Sequence, residues 1–129
     1  MSIKSFEVIL YVSDQTRSRA FYGEVLGVEP SLDVPGMTEF DIGDAKLGLM
    51  PTSGIKALLG DAIPEPDSAI SRCELYLIVD DPIAYAARAR SAGAIELSSL
   101  QLRDWGDEVS YFVDHDSHVI AFARKTASI

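Results

Sequence analysis

An ungapped internal repeat constrains this chain more than any single motif. Phe6-Glu-Val-Ile-Leu-Tyr-Val-Ser-Asp14 aligns with Cys73-Glu-Leu-Tyr-Leu-Ile-Val-Asp-Asp81, so Glu7 falls on Glu74, Leu10 on Leu77, Val12 on Val79 and Asp14 on Asp81. Both segments are apolar, β-branched or aromatic, the composition of a buried strand. Each runs into a helix signal. Asp14 can cap a helix that reaches Leu26 and stops at Gly27; Asp81 can cap another, with Pro82 in its first position and Gly93 at its end. Ala20, Phe21 and Val25 in the first helix, and Ile83, Ala86, Ala87 and Arg90 in the second, recur at helical spacing. Core packing accounts for the apolar ones.

Three strand-like stretches follow each helix, at 29–34, 38–43 and 45–50 in the first half and at 95–102, 108–114 and 118–124 in the second. Gly43-Asp44 suits a two-residue hairpin, and the cluster Asp114-His-Asp-Ser117 is a turn at the matching place. Residues 51–72, broken by Gly54, Gly60, Pro64 and Pro66, read as a linker with one helical turn at 55–59. The expected organisation is one α+β domain over 1–129, built from two βαβββ modules at 1–50 and 73–129. Neither module alone offers much core.

Twenty acidic residues against eleven basic ones give a net charge of −9, which argues against nucleic acid, whose phosphates need a basic face. The acidity reads first as a solubilising surface and only second as a preference for a cationic small molecule. No apolar run approaches the ~18 residues of a membrane span, and no secretory leader pattern opens the sequence. Cys73 is the only cysteine, so no internal disulfide forms and a cytoplasmic location is expected. Glu7 and Glu74 interrupt apolar strands. Because a lone buried carboxylate is costly, each must be paired, protonated, open to a wet cavity, or at a strand start reaching solvent or an arginine such as Arg72. Trp105 can stack on planar or cationic groups, or pack over a cavity mouth or a dimer contact.

Val12-Ser-Asp14, Ser18, Ala20-Phe-Tyr22 and Val25-Leu-Gly27 resemble the opening of vicinal-oxygen-chelate proteins, the superfamily of glyoxalase I, bleomycin-resistance proteins and extradiol dioxygenases. Asp104-Trp-Gly106, Tyr111-Phe-Val-Asp114 and His115-Asp-Ser-His118, followed by a strand, resemble the ending of its second module. The resemblance covers nearly the whole chain. It implies two modules forming a curved mixed sheet around a cavity, with a homodimer completing the cavities. Metal-using members take ligands from the first and last strand of each module, positions that here carry Glu7, Glu74, Gly48 and Ala121. Gly48 and Ala121 have no ligating side chain, so no metal cofactor is expected. The alternative is a weakly bound divalent ion held by the two carboxylates, waters and a further ligand such as Glu39 or Asp41.

Two functions follow from the resemblance. One is a metal-independent small-molecule binding protein of the bleomycin-resistance type, with Glu7, Glu74, Trp105 and the space left by Gly48 and Ala121 lining the site. The other is a glyoxalase-type lyase or isomerase that uses Glu7 and Glu74 as acid and base or as partial metal ligands. The resemblance also puts His115 and His118 at a hairpin end, on the surface and away from the metal positions. Cys73, without a basic neighbour in sequence, reads as structural.

Overall fold

The computed structural model describes residues 2–62 and 71–126. The chain groups into two compact units that divide near residue 66. The N-terminal unit runs β1 (Glu7–Val12), α1 (Gln15–Leu26), β2 (Leu32–Val34), β3 (Met37–Ile42), β4 (Ala45–Pro51) and α2 (Thr52–Leu59), followed by a 3-10 turn at Gly60–Ala62. The C-terminal unit runs β5 (Glu74–Ile78), α3 (Pro82–Ser91), β6 (Ile95–Leu102), β7 (Asp107–Val113) and β8 (Val119–Lys125). The fold is α+β, with two four-stranded mixed sheets in the orders β1-β4-β3-β2 and β5-β8-β7-β6. In each sheet the first strand pairs in parallel with the last, and the remaining pairs are antiparallel.

The helix signals operate as expected. The Asp14 side chain accepts the Arg17 backbone N–H at 3.0 Å, and Gly27 ends α1 in the left-handed region at φ 71°. The Asp81 side chain accepts the Ala84 N–H at 3.1 Å, with Pro82 in the first turn of α3. Residues paired across a sheet project to the same side, so register assigns each face. In the N-terminal unit Leu10, Val12, Phe40, Leu47 and Leu49 are buried with Phe21, Tyr22 and Val25 of α1. In the C-terminal unit Phe112, Ile120 and Phe122 are fully buried on the side of α3, where the Tyr85 ring lies 5.8 Å from that of Phe122. Glu7, Glu39 and Gly48 fall on the opposite face of the first sheet; Glu74, Tyr76, Tyr111 and Ala121 fall on the opposite face of the second.

Three details differ from the sequence reading. The buried stripe of α1 is Ser18, Phe21, Tyr22 and Val25, whereas Ala20 is exposed; Ser18 completes an i, i+3, i+4, i+7 series that a search for apolar residues misses. In α3, Ala86 and Ala89 are buried while Ile83, Ala87 and Arg90 are exposed, because an alanine-rich helix marks its inner face only weakly. The stretch after β4 holds a full two-turn helix, α2, that begins at Thr52 and includes Gly54, a residue read as a breaker. Among the described residues no helix is long and apolar enough to cross a membrane.

Candidate functional site

The duplication places Glu7 and Glu74 at matching register positions, beside Lys46 and Val119 respectively, with Gly48 and Ala121 two residues further along the last strands. Their surroundings differ. In the N-terminal unit, Gly48 is flanked by Ile9 on β1 and Glu39 on β3. A Cβ built on Gly48 would collide with Glu7 Oε2 and meet Ile9 Cγ1 at 3.0 Å, so the Glu7 carboxyl lies directly over this backbone. The space expected above Gly48 is therefore filled by Glu7 itself. Oε2 is buried and finds no hydrogen-bond donor among the described residues.

Burial is the main cause that pushes the Glu7 carboxyl above its ordinary range, and the neighbouring Glu39 carboxyl adds to it, while Lys46 opposes. With both glutamates ionised, neither supplies a donor. With one protonated, the two carboxyls hydrogen bond. Lys46 is engaged with Asp41 at 2.6 Å, a bond that holds the Asp41 carboxyl below its ordinary range and raises the lysine. Asp41 is thus committed to Lys46, and Glu39 faces Glu7.

For metal-using members the resemblance implies a divalent ion at the first- and last-strand positions, and the residues present do not fit one. The volume of a ligand side chain at position 48 is taken by Glu7, and Ala121 is buried under aromatic rings. Among the described residues no three His, Cys, Asp or Glu side chains come together to hold a metal.

In the C-terminal unit the matching face is aromatic. Glu74 is exposed at the start of β5. Ala121 pairs with Tyr76 on one side and Tyr111 on the other, and both rings pack on the buried cluster of Val109, Ala121 and Ala123. Small residues on β8 let the Tyr76 ring cross that strand to β7, where its hydroxyl donates to Asp107 Oδ2 at 2.5 Å. Trp105 Nε1–H donates in turn to the Tyr76 hydroxyl at 2.9 Å, and Lys125 Nζ approaches Asp107 Oδ2 at 3.3 Å. Tyr76 and then Lys125 hold the Asp107 carboxyl below its ordinary range, whereas burial pushes the Tyr76 phenol up. The Arg103 guanidinium lies 5.1 Å from the Tyr111 ring centroid. Trp105 remains 57% exposed although its indole nitrogen is tied down.

The structure thus joins Glu7 to Gly48, and Trp105 to the strand pair that carries Ala121. The sequence reading missed Tyr76 and Asp107. Tyr76 shares with Glu74 the face of β5 turned away from α3, and a half-buried aromatic hydroxyl needs a partner. His118 corrects an expectation: its side chain is 15% exposed and its Nδ1 lies 2.8 Å from Asp114 Oδ2, so it belongs to the turn rather than the open surface. His115 is exposed, with its ring beside Gly93. Cys73 is an exposed free cysteine whose thiol is pushed up by partial desolvation and by Asp114, the opposite of an activated nucleophile.

The sequence model of the family described as "Glyoxalase-like domain" matches residues 6–126. Comparison with curated proteins finds no match. Among solved structures, a glyoxalase-related enzyme from Fulvimarina pelagi is similar with TM-score 0.82 and 21% identity, over 95% of this chain and 88% of that one. A glyoxalase/bleomycin resistance protein/dioxygenase family enzyme from Burkholderia phytofirmans PsJN has TM-score 0.82 and 18% identity, over 93% and 97%. A bleomycin-binding protein solved with bleomycin has TM-score 0.66 and 21% identity, over 98% and 100%. With both halves of the repeat inside the matched residues, the chain belongs to the glyoxalase-like domain family, within the vicinal oxygen chelate superfamily.

Proposed function

We propose that this protein is a metal-independent binder of small molecules that takes a planar, cationic ligand on the aromatic face of its C-terminal unit. The observation that carries the reading is Trp105, an indole that is largely exposed yet fixed through its nitrogen. An exposed, immobilised ring presents stacking area with little ordering cost on binding. The exposed Glu74 near that face and the net charge of −9 favour a cation. The bleomycin complex of a similarly folded protein adds support for binding of this general kind. A homodimer in the cytoplasm is part of the same proposal.

Calorimetric titration of untagged protein with bleomycin and with proflavine, a planar cation, tests it. Saturable binding that survives a chelator and falls at least tenfold in Trp105→Ala is the expected result. Binding that a chelator abolishes, or that is indifferent to Trp105, overturns it. A second reading, a lyase or isomerase, is favoured by one observation: burial raises the Glu7 carboxyl above its ordinary range, which suits it to proton transfer. Proton exchange at carbon in a small hydroxy- or oxo-compound, lost in Glu7→Gln, is its test.

A further inference from the structure

We propose that Tyr76 and Asp107 are positioning residues for Trp105, a clamp that fixes the indole plane before a ligand arrives. The inference rests on the reading that Trp105 faces a ligand, and it adds the residues that make the site. Three contacts carry it. Asp107 is 3% exposed and anchored in β7 opposite Lys125 of β8, so its carboxylate has a fixed position. It accepts the Tyr76 hydroxyl proton at 2.5 Å, which fixes the phenol oxygen and turns its lone pair outward. That oxygen accepts the Trp105 Nε1–H at 2.9 Å.

The chain of donors runs in one direction, from indole to phenol to carboxylate. Each bond polarises the next, and the Trp105 side chain also helps to hold the Asp107 carboxyl below its ordinary range, so the carboxylate acts on the indole through Tyr76 and directly. Trp105 itself lies in the short connection before β7, where Gly106 takes φ 96° and its N–H bonds to the Arg103 carbonyl at 3.0 Å. Such a turn sets the backbone but leaves the indole two free torsions, and the bond to Tyr76 restricts them. The Arg103 guanidinium already stands over the Tyr111 ring, whereas the exposed indole of Trp105 can take a cation brought by a ligand.

Trp105 is the only tryptophan, so its fluorescence reports the clamp directly and without a ligand. Time-resolved anisotropy of the parent is expected to lack a fast segmental component. Tyr76→Phe, which removes one oxygen, is expected to introduce that component and to weaken proflavine binding about tenfold, the loss expected for one hydrogen bond plus the ordering it supplied. Asp107→Asn, which retains an acceptor, is expected to keep Trp105 more restrained than Asp107→Ala does. Circular dichroism on each variant checks that the fold persists, and Asp107→Asn keeps the question answerable should Tyr76→Phe unfold. Unchanged anisotropy in Tyr76→Phe and Asp107→Ala overturns the clamp, whatever binds. Increased mobility with unaltered proflavine affinity overturns its role in binding. Increased mobility in a protein whose parent form binds no planar cation leaves the clamp standing and removes the ligand reading.

Discussion

In the N-terminal unit, a first-strand side chain, Glu7, lies across Gly48 toward Glu39. In the C-terminal unit, Tyr76 lies across the small residues of β8 to Asp107. The strand order and the direction of crossing are the same, but in the C-terminal unit the crossing side chain starts two residues further along the first strand, and the chemistry is opposite. One crossing ends in two facing carboxyls and leaves a buried oxygen without a donor among the described residues. The other ends in a donor on an acceptor and continues to Trp105. A small residue on an inner strand is therefore a floor for a neighbour's side chain, and it does not by itself signal an empty site.

The largest expected effects test whether the two cores are equivalent. Phe40 and Phe112 occupy matching positions and are fully buried, so Phe40→Ala and Phe112→Ala should each cost about 3–5 kcal/mol in chemical denaturation. A loss several-fold smaller in one unit would break the equivalence. Next come the floors. Gly48→Ala should cost about 1–3 kcal/mol because Glu7 must move, and Glu7→Ala in the same chain should recover part of that loss. Ala121→Gly should cost about 1 kcal/mol through backbone entropy and lost packing.

The two crossings should also respond to pH with opposite sign. Glu7 has a folded pKa above its unfolded value, so its contribution to stability is fully present below the ordinary glutamate range and is lost as pH rises through the raised value. Asp107 has a lowered pKa; its contribution is present above the ordinary aspartate range and is lost as pH falls through the lowered value. Melting temperatures of the parent and Glu7→Gln between pH 7 and pH 4 should converge toward acid, once the variant's own offset is subtracted. A constant difference would show that Glu7 titrates normally. The smallest effect belongs to the exposed Arg90–Glu96 pair, at 3.1 Å, where Glu96→Gln should change stability by less than about 1 kcal/mol.

Much of the architecture was legible because the repeat and the caps are local signals. Asp14, Gly27, Asp81 and Pro82 act where their chemistry predicts. The helix α2 was obscured because Gly54 and Gly60 read as breakers, although Gly54 lies within the helix and Gly60 only caps its end. The candidate site was legible only in its positions. Glu7, Gly48, Trp105 and Ala121 stand out in the sequence, but what covers each one depends on register. Glu39 meets Glu7, and Asp107 meets Tyr76, through neighbours brought together by pairing over long stretches of sequence.

The strand order carries a consequence for how each unit is assembled during synthesis. β4 lies between β1 and β3, and β8 lies between β5 and β7. The strand made last in each unit is thus an inner one, and the first strand gains its sheet partner only when that last strand appears. Glu7 waits for Lys46, and Glu74 for Val119, so each sheet closes through a long-range contact that no earlier hairpin replaces. Until then β1 and β5 are unpaired edges of apolar sequence, exposed to association with other nascent chains. On a ribosome the N-terminal unit can close its sheet while β5 to β8 are still to be made, which limits that exposure to one unit at a time.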